Sequence, residues 1–515
     1  MGAISKLAIR NLKEHKSKTV IIALFLIFGI AIVVMGNSFL ESINKGLEKD
    51  FRQNYTGDIT ISIKPKKGIL IDIFSAQPTA MTTNLDDMMI PAIPDLKAVE
   101  DVIATTEGIA GNISKKTKLI SSQVLVMYGQ ELDFAAFTED GLSFDDIPIA
   151  MLFAGDENYW DTFQGINFVE GRYPENDTNE VMIDTRVKKA FESLYKRELH
   201  VGDTISMSTP MGMTIRDAVV VGIFKPANEY SAMFQSIYCS PNLARAFADL
   251  TYGSTYVEEF DDSGLDFSDM SEEDMFGGSD SEDDFFGEIE ELDTSNVDMN
   301  FDDILGDTTM RDELNKTDDG AWQFILMKAK NPFETNKMIE TLNQAFNDKE
   351  INARAIGWKD AAASYSYTVE GIGLVFNILI IILGVVVFII IMNTMTVSII
   401  ERTGEIGTMR AIGAEKKFVR KLFYTETLLL TSVSAVIGII LAFIIMAIFN
   451  SLNIAITNSI AKMILGGGLL HFSPTAPIII NTIIVALLGS LLSNVYPVKS
   501  ALKITPLKAL SKGSV

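Results

Sequence analysis

Long uncharged apolar stretches occur near both ends of the chain. The first covers residues 19–40 and has TVIIALFLIFGIAIVVMG at its centre. At a rise of about 1.5 Å per residue, a helix of this length crosses a hydrocarbon core about 30 Å thick. Three more such stretches lie in the last third of the chain, at residues 371–400, 427–449 and 476–495. The pattern therefore predicts four transmembrane helices.

A basic segment precedes the first apolar stretch. It contains Lys6, Arg10, Lys13, Lys16 and Lys18, and such a segment is also typical of the start of a secretory signal peptide. The apolar stretch is longer than that of a signal peptide, however, and no A-x-A-like cleavage site follows it. We therefore interpret it as a retained transmembrane helix.

Between the first and second apolar stretches, in residues 41–370, apolar residues alternate with polar ones in short runs. Alternating or β-rich runs predict strands in GDITISIK, EVMID, DTISMS and AVVVGIF. Apolar residues spaced by three and four predict helices in LDDMMIPAIPDLKAVEDVIA, TRVKKAFESLYKREL and NPFETNKMIETLNQAFNDKEI. We expect one large α+β domain inserted between the first two transmembrane helices.

Basic residues indicate the orientation of the chain in the membrane. They are concentrated in the N-terminal segment 1–18, the loop 401–425 and the tail 496–515. The loop 450–474 has Lys462 as its one charged residue. Because short loops rich in Lys and Arg stay in the cytoplasm, we expect both termini there and the α+β domain outside.

The formal net charge of −24 is mostly local. Residues 258–303 hold 20 Asp and Glu and no Lys or Arg, so the rest of the chain carries −4. A nearly neutral remainder lacks the broad basic surface that binds nucleic-acid phosphates, which argues against a nucleic-acid partner. We predict that this acidic insert is disordered, because its repelling charges do not offset the entropy lost on ordering. Its interspersed Phe residues leave open a docking or calcium-collecting role.

The residues and motifs that are typical of enzyme active sites are few in this sequence and far apart. The three histidines, His15, His200 and His471, fall in different predicted compartments, and no HExxH zinc motif occurs. The single cysteine, Cys239, is interpreted as a small buried apolar residue. No GxxxxGK(S/T) phosphate loop occurs, so any ATP must be bound by another chain. We expect a non-catalytic protein with no cofactor or metal of its own, since a membrane enzyme needs a cluster of catalytic groups.

The loop between the second and third apolar stretches has a pattern of its own, ERTGEIGTMRAIGAEKKFVRKLFYTETLLL. Apolar residues recur every third position, which predicts a short helix with one apolar ridge surrounded by polar contacts. Such a helix either docks in a groove of a partner or lies on the lipid headgroups. The ridge consists of Ile406, Met409 and Ile412, and the polar contacts are Glu401, Arg402, Glu405 and Arg410.

Two segments near the C-terminus resemble one known family. The segment ERTGEIGTMRAIGA, the later Glu426 and the ending YPVKSALKITPLKAL are similar to the C-terminal module of ABC transporter permeases of the FtsX/MacB family. The order of LAIRNLKEHKSKTVIIAL, one span, an outer domain with FVEGRYPENDTNEVMI, and three further spans also resembles that family. The acidic insert departs from the family pattern.

The resemblance implies a mechanotransmitting permease subunit in a bacterial cytoplasmic (inner) membrane. Such permeases act as dimers, here with an identical or a different second permease chain, and recruit two cytoplasmic ATPase subunits that hold ATP and Mg. Carried over by position, the ATPase-coupling segment comprises Glu401, Arg402, Glu405, Ile406, Met409, Arg410, Ile412 and Gly413.

The resemblance leaves the cargo open among several functions. The family includes lipoprotein-releasing (LolC/LolE-like) permeases, macrolide and peptide exporters, and regulators of cell-wall hydrolases. We expect lipoprotein release or transport first, which would add a lipoprotein or another periplasmic protein as a partner. Export of a macrolide or peptide, and regulation without transport, are the alternatives.

Overall fold

The computed structural model describes residues 3–14, 16–65, 71–74, 90–129, 147–163, 165–210, 214–226, 235–252, 316–456 and 470–503. Within these residues, four helices are long and apolar enough to cross a membrane, as predicted. The acidic insert lies outside the described residues, as does most of the loop between the third and fourth spans. The membrane part consists of α1 (Ala3–Glu14), α2 (Lys16–Asn54), α9 (Ala363–Glu401), α11 (Lys416–Leu452), α12 (Ala476–Ser493) and α13 (Val495–Lys503), with α10 (Thr403–Ala411) in the loop before α11.

The first two spans are parts of much longer helices. Helices α2 and α9 each have 39 residues, or about 58 Å of helix, almost twice the hydrocarbon thickness. Beyond residue 40, α2 keeps Ile43, Leu47 and Phe51 on one face, and all three are 3% exposed or less. The predicted spans 19–40 and 371–400 therefore mark the apolar parts of helices that continue as a stalk to the α/β domain.

The domain between α2 and α9 is built on one mixed sheet. Its described strands follow the order β10-β1-β9-β2-β3-β8-β5-β7-β4, with β6 pairing with β2 and β7. Most pairs are antiparallel, while β3–β8 and β5–β7 are parallel. The bounds are β1 (Ile59–Ile63), β2 (Ile113–Met127), β3 (Ile149–Gly155), β4 (Ile166–Gly171), β5 (Glu180–Asp184), β6 (Thr204–Ser208), β7 (Ile215–Pro226), β8 (Ser236–Cys239), β9 (Phe324–Ala329) and β10 (Ala353–Gly357).

Most of the sheet is buried on both faces, although the edge strand β4 is largely exposed. Strand alternation sorts the buried side chains between the two faces. In β9, Ile325 and Met327 belong to a core with the helices on one face, whereas Phe324 and Leu326 belong to a core with the stalk on the other. The short helices are α3 (Leu96–Thr105), α4 (Tyr159–Thr162), α5 (Thr185–Tyr195), α6 (Pro241–Phe247), α7 (Thr335–Asp348) and α8 (Trp358–Ala361), with 3-10 turns at 110–112 and 332–334.

One predicted helix begins later than its periodicity indicated. The expectation for residues 85–104 was wrong at its start, because α3 begins at Leu96. Pro91 and Pro94 precede this start, and proline does not supply the backbone N–H that a helix interior needs. The side chain of Asp95 accepts a hydrogen bond from the Ala98 N–H and so caps the first turn.

An aromatic cluster joins the two stalk helices to the sheet. The Phe51 ring on α2 lies 5.0 Å from the Phe74 ring and 5.6 Å from the Tyr365 ring on α9, measured between centroids. Phe74 in turn lies 6.2 Å from Phe153 on β3. Since these side chains share one core, α2, the start of α9 and the sheet are packed as one unit.

Helix α2 packs closely against both α9 and α11, with a glycine at each contact. A Cβ added at Gly438 of α11 would lie 2.8 Å from the Ile27 carbonyl oxygen of α2. A Cβ added at Gly36 of α2 would lie 2.2 Å from the Phe376 ring of α9. These contacts are van der Waals packing, the main stabilisation available between helices in lipid.

Replacing Gly438 by Leu should weaken the bundle. The added side chain collides with the backbone of α2, so overpacking should cost about 1–3 kcal/mol. The melting temperature of the detergent-solubilised protein measures this effect. The matched control is Gly373→Leu, because nothing lies within 4 Å of a Cβ at Gly373. Equal melting of the two variants would contradict the close α2–α11 contact.

Cys239 is 8% exposed at the end of β8, which confirms its interpretation as a small buried residue. Burial raises the pKa of its thiol well above the ordinary value. Because the thiolate is the reactive form, we predict slow reaction of the folded protein with a maleimide or a disulfide reagent at pH 8. Release of one thiol equivalent only after denaturant is added would confirm this, and rapid labelling of the native protein would refute it.

Candidate coupling site between the second and third spans

The loop between the second and third spans folds as a short helix and a tight turn. Helix α10 follows α9 directly, and α11 already begins at Lys416, well before the predicted start of the third span at residue 427. Gly413 ends α10 with a φ of +106°, which L side chains rarely adopt. The Ala414 N–H donates to the Met409 carbonyl at 3.0 Å and closes the turn.

Arg402 lies inside the protein at the junction of α9 and α10. Its Nη1 donates to Glu426 Oε2 of α11 at 3.0 Å, and both side chains are 5% exposed. Its Nε donates to Glu405 Oε2 at 3.2 Å, and the guanidinium lies 5.4 Å from the centroid of the Phe423 ring. Burial lowers the pKa of Arg402, but Glu426 and Glu405 outweigh this and raise it above its ordinary value.

Glu426 also binds the N-terminal helix. The Asn11 side-chain amide of α1 donates to Glu426 Oε1 at 2.6 Å. One carboxylate thus accepts hydrogen bonds from α1 and from the residue between α9 and α10. The two bonds hold three segments of the chain together at one end of the membrane bundle.

The three apolar residues of the predicted ridge do not share one exposed face. Ile406 is 3% exposed and packs with Val419 and Phe423 of α11, and Met409 is partly buried against the same cluster. Ile412, by contrast, is 84% exposed. The prediction that these three residues form one apolar ridge was therefore wrong. Residues six apart lie about 120° apart around a helix of 3.6 residues per turn.

The exposed surface of α10 and the following turn therefore differs from the predicted apolar ridge. Among the coupling residues, Glu401, Glu405, Ile412 and Gly413 are exposed, and Arg410 is half-buried. Four basic side chains on the first turns of α11 extend this exposed surface: Lys416, Lys417, Arg420 and Lys421. The apolar side chain of Ile412 is thus exposed at the end of the membrane bundle, among acidic and basic side chains.

Sequence reasoning did not identify the partners of Arg402. Glu426 was noted for its place in a family pattern, and Asn11 was not noted at all. A usable signal was present, because an ionisable residue beside an apolar span is costly and needs a partner. The sequence alone does not say which of the nearby basic residues pairs with Glu426.

We predict that Glu426→Leu destabilises the protein by about 3–5 kcal/mol, because it leaves Arg402 inside the protein without its buried partner. The double variant Arg402→Met/Glu426→Leu should recover much of that loss. Thermal unfolding of Arg402→Met, Glu426→Leu and the double variant gives the coupling energy. The exposed carboxylate of Glu415 provides the control Glu415→Gln, with an expected change near zero. A double variant as unstable as the sum of its singles would contradict the pairing.

Comparisons with known proteins place both halves of the chain. Residues 377–506 match the FtsX-like permease C-terminal model, and residues 19–263 match the MacB-like periplasmic core domain model. The macrolide export ATP-binding/permease protein MacB of Campylobacter jejuni is 30% identical over 128 residues, which are 24% of this chain and 17% of that protein. The chain thus matches a small part of the length of that exporter.

Two further comparisons cover longer stretches of the chain. The uncharacterized ABC transporter permease YvrN of Bacillus subtilis is 22% identical over 98% of both chains. Among solved structures, the extracellular domain of the noncanonic ABC-type transporter YknZ from Gram-positive bacteria covers 58% of this chain, with 8% identity and a TM-score of 0.26. With four membrane helices and both domain types matched in the family order, the chain belongs to the ABC transporter permeases of the FtsX/MacB type.

Proposed function

We propose that this chain is the non-catalytic subunit that passes ATP-driven motion from two separate cytoplasmic ATPase subunits to its α/β domain on the other side of the membrane. The ATPase subunits would hold ATP and Mg. The observation that carries this proposal is the attachment of α10: the Arg402–Glu426 pair and the Ile406 cluster bind it to α11. A partner that pushes on α10 therefore also pushes on the bundle.

The motion has a continuous path to the α/β domain. Helix α9 runs without a break from Ala363 beside the sheet to Glu401 beside α10. Its first turn shares the aromatic core with Phe51 of α2 and with the sheet. Two stiff helices packed into one core move a domain as a unit, which is the shear or hinge type of transition.

The orientation follows from the basic residues around α10. Short segments rich in Lys and Arg remain cytoplasmic, and Lys416, Lys417, Arg420 and Lys421 are exposed there. We place both termini and α10 in the cytoplasm and the α/β domain outside the bacterial inner membrane.

A second permease chain is part of the proposal. Helix α9 presents large apolar side chains away from its own bundle, and Leu374 and Leu379 are 60% and 57% exposed. Lipid or a second permease covers such a face at membrane depth. We propose a permease dimer, homomeric or heteromeric, with one ATPase subunit beneath each copy.

For the cargo we propose lipoprotein release. The stalk residues of α2 beyond residue 40 span about 20 Å, so the α/β domain lies close above the apolar part of the bundle. This position suits a substrate anchored in the outer leaflet. Macrolide or peptide efflux is the alternative, which the name of the MacB relatives supports.

The docking surface is tested by Ile412→Asp. Ile412 is 84% exposed, so a charge there should leave the fold intact and remove an apolar contact with the ATPase. We expect copurification of the ATPase with the permease to fall about tenfold, the change that 1.4 kcal/mol brings. Phe333→Asp is the control, because Phe333 is 96% exposed in the α/β domain. Unchanged ATPase recovery with Ile412→Asp would contradict docking at α10.

The cargo is tested with the purified complex in proteoliposomes. ATP-dependent extraction of a lipoprotein supports release, and extraction of a macrolide or peptide supports efflux. Activation of a cell-wall hydrolase without extraction would replace transport by regulation. Chemical turnover by the permease alone, without its ATPase, would overturn the non-catalytic role.

A further inference from the structure

A cleft of about 620 Å³ opens between the first, second and fourth spans. Helices α2, α9 and α12 form its walls, with Val33, Val387 and Val485 among the side chains that line it. The lining contains no charged residue. All three walls are parts of membrane-spanning helices, so the cleft lies within the bilayer and not in water.

Two amide side chains lie at one end of this cleft. Asn37 is near the end of the apolar part of α2, and Asn481 is in the second turn of α12. The Ser473 N–H donates to the Ser38 carbonyl at 3.1 Å, which sets the start of α12 level with this part of α2. Both amides therefore lie at the end of the cleft that faces the α/β domain.

The cleft is too small to enclose a transmembrane helix. A helix about 10 Å across and 30 Å long fills about 2,400 Å³, more than the cleft holds. The cleft volume falls within the roughly 300–1,000 Å³ that is usual for small-ligand sites.

We propose that the cleft binds an acyl chain of a membrane glycerophospholipid from the leaflet nearest the α/β domain. The chain lies along the apolar walls, and its ester carbonyl oxygens accept hydrogen bonds from the side-chain amides of Asn37 and Asn481. Among the described residues, neither amide makes another hydrogen bond, so both N–H groups are available at membrane depth.

Specificity for the cleft over the free bilayer comes from packing and from the two amides. An acyl chain gains no hydrophobic free energy on leaving the bilayer, because lipid tails are as apolar as the walls. The gain is van der Waals contact on three sides and the hydrogen bonds that the two amides donate to the ester carbonyl oxygens. The inference concerns the permease alone and does not rest on the ATPase partnership.

The test uses the full-length protein in nanodiscs of phosphatidylethanolamine and phosphatidylglycerol. The probe is a phosphatidylcholine with a photoactivatable diazirine in the middle of one acyl chain. After irradiation, mass spectrometry should find the label concentrated on α2, α9 and α12 peptides that line the cleft. Gly384 lines the cleft and has open space at its Cβ. We expect Gly384→Phe to reduce this labelling about tenfold, since a ring and an acyl chain cannot occupy the same volume.

Gly373→Phe is the control, because it adds the same ring to the same helix outside the cleft. Gly489→Phe fills the cleft from α12 and replaces Gly384→Phe if that variant does not fold. The proposal would be overturned if lipid-exposed positions such as Val433 were labelled as strongly as the cleft and neither Gly384→Phe nor Gly489→Phe changed the labelling. Cleft peptides crosslinked to a second copy of the chain in place of the lipid would also overturn it.

Discussion

The position of α10 depends on one buried ion pair. Arg402 and Glu426 meet at 3.0 Å with almost no exposure, and Asn11 occupies the second carboxylate oxygen. A buried pair of this kind adds little net stability, since desolvation offsets most of the attraction. Separating its members is costly, however, because each would be left as an uncompensated charge. The pair therefore fixes where α10 lies more than it strengthens the fold.

The same constraint continues into the long helices of the membrane bundle. The two long helices α2 and α9 carry the position of the membrane bundle into the α/β domain, where both enter one aromatic core. Glycines at the α2–α9 and α2–α11 contacts keep the bundle closely packed. An element with stiff connections at both ends is suited to pass a displacement over a long distance.

Much of this architecture follows from periodicity in the sequence. The four spans, the strand EVMID and the helix that begins at Thr185 were predicted because apolar spacing reports which faces are buried. Strand β2 was not predicted, because Lys115, Lys116 and Lys118 interrupt its apolar pattern. The inward position of Ile406 was also missed. A three-residue spacing shows that a helix has an apolar side, but the contact with Val419 and Phe423 comes from residues beyond that helix.

In the proposed mechanism, α10, α11 and the α/β domain move together when the partner ATPase binds ATP. Spin labels on cysteines introduced at Thr408 and Arg420, both exposed, measure the α10–α11 distance in the purified permease–ATPase complex. In the proposed permease dimer, a label at Phe333 on each copy measures the separation of the two α/β domains. If the three elements move together, the 408–420 distance should stay unchanged and the 333–333 distance should shift on ATP trapping. A shift within the 408–420 pair, with the α/β domains stationary, would contradict it.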